Sequence, residues 1–119
     1  MTDSYRMLAD NMPIVPDENP GNFSVDFTVP ENFAPLNGHF PGNPILPGIA
    51  QISIVSAIME KALAHPLELV DVRRVKFLSP ATPGMALNIR IKYADNTVSA
   101  DFFSGEKKIS SLKLVYAGA

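Results

Sequence analysis

The chain is predicted to be a single α+β domain, with one long buried helix set against a mainly antiparallel sheet. Three observations predict it. Residues 47–64 are apolar on most sides of a helix, which is the pattern of a buried helix rather than a surface one. Residues 23–29 alternate cleanly and put Phe23, Val25, Phe27 and Val29 on one strand face. Residues 67–116 return to strand patterning broken only by short turns, which favours antiparallel neighbours. A length of 119 residues gives room for one core, and no repeat, low-complexity run or second domain is visible.

From the N-terminus, Asp3 and Ser4 are placed to cap a short helix that turns Tyr5, Leu8 and Met12 inward. Residues 12–22 are rich in Pro, Asp and Asn and read as a turn-bearing connector. Residues 1–22 thus form an N-terminal helix and connector within one domain covering residues 1–119. Pro30 ends the first strand, and residues 31–33 are expected to make one helical turn. Pro47 stands in the first turn of the central helix, where its missing N–H costs least. Ile49, Ile52, Ser56, Met59 and Leu63 line one stripe of that helix, and Ile54, Val55, Ala57, Ile58 and Ala62 fill much of the rest. Ala64-His65-Pro66 stops it, with His65 placed to complement the helix dipole.

The stretch 67–78 is extended and is closed by Ser79-Pro80-Ala81-Thr82-Pro83-Gly84. Leu87, Ile89, Ile91 and Tyr93 then alternate with Asn88, Arg90 and Lys92. Turns at Asp95-Asn96 and Ser104-Gly105-Glu106 separate strands over residues 97–103 and 107–116, giving an antiparallel meander.

Composition narrows the function. There is no cysteine, so disulfides and thiolate metal sites are excluded. His39 and His65 are the only histidines, too few for a typical zinc site. A net charge of −2 supplies no general field for nucleic acid. Gln51, Ser53, Ser56, Glu60 and Lys61 interrupt the apolar helix, so no membrane span is expected. Residues 1–11 are polar and do not read as a signal peptide, and a cytoplasmic setting is expected.

The segment Gly38-His39-Phe40-Pro41-Gly42-Asn43-Pro44-Ile45-Leu46-Pro47-Gly48 carries the chemistry. Prolines fix φ and glycines permit close approach of another backbone, so this loop holds a shape. It presents His39 beside the start of the central helix, where the helix dipole and free N–H groups favour negative charge.

Two blocks resemble the hotdog-fold 3-hydroxyacyl-(acyl-carrier-protein) dehydratases of fatty acid synthesis. The first is Gly38-His39-Phe40-Pro41-Gly42-x-Pro44-x-x-Pro47-Gly48, and the second is Val75-Lys76-Phe77-x-x-Pro80-x-x-Pro83-Gly84. They stand in family order, and the similarity extends over residues 22–116. The wording Pro-Ile-Leu-Pro-Gly-Ile-Ala-Gln at residues 44–51 is most like the ApeI-like dehydratases of aryl polyene gene clusters. The resemblance implies a hotdog fold, a curved antiparallel sheet wrapped around one central buried helix. It implies loss of water from a 3-hydroxyacyl thioester to give the trans-2-enoyl thioester, the acyl chain being carried on acyl carrier protein. No metal or redox cofactor is implied.

On this resemblance His39 is the base that takes the C2 proton, and Gly48 offers a backbone N–H to the thioester carbonyl. Phe40 and Gln51 are expected at the substrate, although Gln51 could equally face a dimer partner. Fourteen residues after the histidine the family places Glu or Asp to protonate the leaving hydroxyl, and this chain has Ser53. A serine hydroxyl is too weak an acid to take that role directly, where acid help is worth ~10²–10⁴ in rate. Ser53 could instead hold a water or the 3-hydroxyl while His39 moves the proton both ways, or it could be a small packing residue. Glu60, two turns on, is expected to face solvent. Two rivals therefore stand beside the dehydratase: a dehydratase-like partner subunit without the acid, and an acyl thioesterase.

The resemblance further implies a homodimer, or a heterodimer with a dehydratase-like paralogue. An apolar share of 46% is ample for a chain with a hidden interface. Arg73, Arg74 and Lys76 are either a dock for an acidic carrier protein or a solvated strand edge. Phe33, Phe40 and Phe77 either wall an acyl channel or pack the core.

Overall fold

The computed structural model describes residues 9–19, 21–30 and 46–118. They form β1 (Ile14–Pro16), β2 (Asn22–Thr28), α1 (Gly48–Leu63), β3 (Glu68–Phe77), β4 (Ala86–Ala94), β5 (Thr97–Ser104) and β6 (Lys107–Ala117). The strands make one open six-stranded sheet in the order β1-β2-β4-β5-β6-β3, with every neighbouring pair antiparallel.

The meander is β4-β5-β6, as the short turns require. At its first turn Asp95 and Asn96 take φ of 53° and 63°, a pair of positive values that a tight hairpin needs and that these residue types tolerate. The long strand β3 does not precede β4 in the sheet. It lies at the far edge beside β6, with Phe77 opposite Ser110 and Leu69 opposite Tyr116. Residues 12–22 hold more than a connector: Ile14–Pro16 pair with Phe23–Val25 as β1. Pro13 and Pro16 keep this strand to three residues, and an edge is where a missing N–H is tolerated. The expected helical turn at residues 31–33 lies outside the described residues.

α1 is buried on all sides in its middle: Ile54, Val55, Ser56, Ala57, Ile58 and Met59 run consecutively without exposure. They join the inward row of the sheet, Val25 and Phe27 from β2, Ile89 and Ile91 from β4, Phe102 from β5, and Leu112 and Leu114 from β6. Each such side chain contributes about 1.5–3 kcal/mol when fully buried. The helix ends at Ala64 in the left-handed region, φ 61°. Lys61 in the last turn reaches back across the fold, its Nζ donating to the carbonyls of Ala9, Asp10 and Met12 at 2.9, 3.3 and 2.7 Å. It thereby satisfies the exposed carbonyls where the N-terminal segment turns into β1. His65 places Nδ1 3.0 Å from the Pro66 carbonyl and lies exposed, in keeping with a structural helix-end residue.

One polar chain crosses the core. Ser56 Oγ lies 3.1 Å from the Ile52 carbonyl and shares a 2.7 Å hydrogen bond with the Tyr116 hydroxyl. Tyr116 is 1% exposed, and burial pushes its phenol up to about 12, opposed by the Ser56 hydrogen bond and reinforced by the Glu60 charge.

Candidate active site

Among the described residues, no side-chain hydrogen bond caps the helix mouth. Pro47 is the N-cap residue, extended at φ −65° and ψ 157°, and it supplies neither an N–H nor a side-chain hydrogen bond. The first backbone N–H that closes a helical turn is that of Gln51, onto the Pro47 carbonyl at 3.1 Å. The N–H groups of Gly48, Ile49 and Ala50 therefore have no intrahelical partner. No acidic residue stands in the first turn to neutralise the positive end of the dipole, and Ile49 is 75% exposed. Such a mouth favours an anion or a developing oxyanion.

A cleft of about 320 Å³ opens there, lined by Leu46, Pro47, Gly48, Gln51, Phe77, Leu78, Ser79 and Pro80. Its two walls are the loop entering α1 and the end of β3, which are the two blocks that carry the sequence resemblance. Phe77 turns its ring onto Gly48. A Cβ on Gly48 would fall inside contact distance of the ring's Cζ and 2.8 Å from Cε2, so a side chain there would push the ring outward. Phe77 is 53% exposed, which makes it a wall of the cleft and not a core residue. The walls are pinned by backbone bonds: Leu46 N–H donates to the Ala81 carbonyl at 2.7 Å, and Leu78 N–H to the Ile109 carbonyl at 2.9 Å.

Gln51 lines the floor of this cleft at 3% exposure, and its amide is bonded at both its nitrogen and its oxygen. Ser110 Oγ donates to its Oε1 at 2.7 Å, and its Nε2 donates to the Leu46 carbonyl at 3.3 Å. Ser53 is half-buried, and its side chain makes no hydrogen bond to a described residue. It lies five positions beyond Gly48, about 7.5 Å along the axis and turned by about 140°. It is not among the residues lining the cleft at Gly48. His39 and Phe40, with Phe33, lie outside the described residues.

Glu60 shares a helix face with Ser53 but is half-buried instead of solvent-facing. Its Oε2 accepts the Leu67 N–H at 2.8 Å and ties the helix end to the start of β3. Arg73, Arg74 and Lys76 are all exposed on β3, where Arg73 Nε meets Asp71 at 2.5 Å. Ser110 was not marked by the sequence, since its serine sits in an ordinary polar position before the strand's apolar alternation begins. Its partnership with Gln51 depends on β6 passing beneath α1, which no local pattern encodes.

The sequence matches the ApeI-like family, described as ApeI dehydratase, over residues 15–113. A 3-hydroxyacyl-(acyl-carrier-protein) dehydratase FabZ of Rhizorhabdus wittichii is 36% identical over 91 residues, covering 69% of this chain and 57% of the relative. Another from Novosphingobium aromaticivorans is 32% identical over 83 residues, covering 62% and 52%. The chain thus spans little more than half the length of these curated relatives. Among solved structures, the dehydratase heterocomplex ApeI:P from Xenorhabdus doucetiae superposes with a TM-score of 0.75 at 24% identity, over 89% of this chain and 97% of that one. That likeness shows the fold, and the single long helix on an open antiparallel sheet is the hotdog fold. With a family match that takes in the Gly48 mouth and the Phe77 wall together, the chain belongs to the ApeI-like dehydratase family.

Proposed function

We propose that the protein removes water from a 3-hydroxyacyl thioester carried on acyl carrier protein, giving the trans-2-enoyl thioester. The observation that carries this reading is the uncapped mouth at Gly48, opening into a cleft whose walls are the two family blocks. In the proposed reaction His39 takes the C2 proton, and the electron pair moves onto the thioester oxygen. The Gly48 N–H and the helix dipole stabilise that charge. The pair returns to form the C2–C3 double bond as hydroxide leaves C3. His39 gives its proton to that hydroxide, so water is the second product and His39 is regenerated. Ser53 holds the 3-hydroxyl or a water in this scheme, and Phe40 and Phe77 flank the acyl chain. The scheme uses neither a metal nor a redox cofactor.

The proposed setting is cytoplasmic synthesis of a fatty, aryl polyene or polyketide-type chain. No helix of the described residues is long and apolar enough to cross a membrane. The proposed assembly is a homodimer or a heterodimer with a dehydratase-like paralogue. Edge strand β3 supports it, because Leu69, Val70 and Val72 are exposed on a strand paired on one side only among the described residues. The ApeI:P neighbour is itself a heterocomplex.

One observation favours a second reading. Ser53 leaves the acid position without a carboxylate, and Glu60 is committed to Leu67, which suits a dehydratase-like subunit that assists an active partner. Hydration of a trans-2-butenoyl thioester, the reverse reaction, separates the two. Loss of the enoyl absorbance with the purified protein alone supports the enzyme. Loss only after a paralogue is added supports the partner subunit.

A further inference from the structure

We propose that Gln51 is a positioning residue, holding the backbone at the helix mouth from inside so that the Gly48 N–H stays aimed into the cleft. The inference rests on the reading of Gly48 as the carbonyl donor. Helix starts are ordinarily fixed by a Ser, Thr, Asp or Asn side chain lying over the first N–H groups. Such a cap would occupy the place a thioester oxygen must take. Here the cap residue is Pro47, which covers nothing, and the fixing bond comes from the other side.

The Gln51 amide reaches back to the carbonyl of Leu46, two residues before Gly48, while its oxygen is anchored by Ser110 of β6. The orientation of the amide is settled by these partners. Reversed, its oxygen would face the Leu46 carbonyl, with no proton between them. Leu46 is also held through its N–H by Ala81, so its peptide is gripped at both faces before the chain enters α1.

The residue type itself argues for this role. Burying a primary amide costs free energy unless every bond is made, and an unbranched apolar side chain would fill the same space. A glutamine at 3% exposure, with both its ends bonded, is explained by what those bonds hold.

The test uses Gln51→Met, which keeps length and volume, and Ser110→Ala, which removes only the anchor. Two readouts are taken: the Gly48 amide signal in a backbone ¹H–¹⁵N spectrum, and kcat and KM with 3-hydroxybutyryl carrier protein. Gln51→Met is expected to fold, to shift the Gly48 signal, and to lower kcat by about 10- to 100-fold with KM nearly unchanged, the size of effect a small misplacement produces. Ser110→Ala is expected to do the same more weakly, and it decides the matter if Gln51→Met does not fold. An unmoved Gly48 signal, an unchanged kcat, or a loss confined to KM overturns the proposal, the last making Gln51 a substrate contact. If the wild-type protein proves inactive, the functional reading fails by itself. The Gly48 signal alone then upholds the positioning role by moving, or overturns it by staying.

Discussion

Replacing Gly48 with alanine probes the contact on which the cleft depends. The backbone at Gly48 is helical and accepts alanine, so the effect arises from the space that the new methyl enters. That space is taken by the Phe77 ring, whose Cε2 would lie 2.8 Å and Cε1 3.3 Å from the added carbon. Overpacking of this kind costs about 1–3 kcal/mol. Phe77 is half exposed and free to swing outward, so the low end, about 1 kcal/mol, applies, less the few tenths that alanine returns as a helix former in the first turn. The net loss, about 0.7 kcal/mol, lowers Tm by roughly 3 °C in a domain of this size. The decisive assay is a double-mutant cycle with Phe77→Ala followed by urea denaturation. In the Phe77→Ala background the clash is gone, and Gly48→Ala becomes neutral or slightly stabilising, a coupling of about 1 kcal/mol. Additive losses would refute the reasoning, because they would mean that ring and glycine do not meet.

Further outcomes follow from other parts of the fold. Tyr116 has a phenol raised from 10.0 to about 12 in the folded protein, so its contribution is complete below pH 10 and is lost as pH rises through about 12. The loss amounts to about 2–3 kcal/mol. Chemical denaturation between neutral and high pH measures it, and Tyr116→Phe is expected to flatten that slope. Lys61→Met removes the donor to the Ala9, Asp10 and Met12 carbonyls and is expected to cost about 1–3 kcal/mol, read as a lower urea midpoint with early loss of the N-terminal segment. Ser53→Glu supplies the carboxylic acid that the family places at this position and is expected to raise the dehydration rate by ~10²–10⁴. No change in a folded Ser53→Glu protein would show that the position does not meet the leaving hydroxyl.

Much of this fold is legible in the chain because its signals are local. Phe23 to Val29 alternate, the helix is apolar on most sides, and Asp95-Asn96 is a hairpin turn, so β2, α1 and the β4-β5-β6 meander follow directly. Strand β1 was hidden because three residues that follow Pro13 and end in Pro16 look like loop, and only pairing with β2 makes them a strand. The place of β3 was hidden for a related reason: its pairing with β6 joins segments distant in the chain, and it leaves Val70 and Val72 exposed at an edge. At the site, the loop motif marks Gly48 without help from the structure. The Phe77 ring over Gly48 and the Ser110 anchor under Gln51 are contacts between distant segments, which spacing along the chain does not encode.

The central claim is tested most directly by intact-mass analysis of a 3-hydroxyacyl carrier protein incubated with the wild-type protein and, separately, with His39→Ala. Loss of one water with wild type and none with His39→Ala is the expected result. Loss of the whole acyl group would contradict it in favour of a thioesterase. An unchanged carrier with a folded wild-type protein would contradict it in favour of a non-catalytic partner subunit.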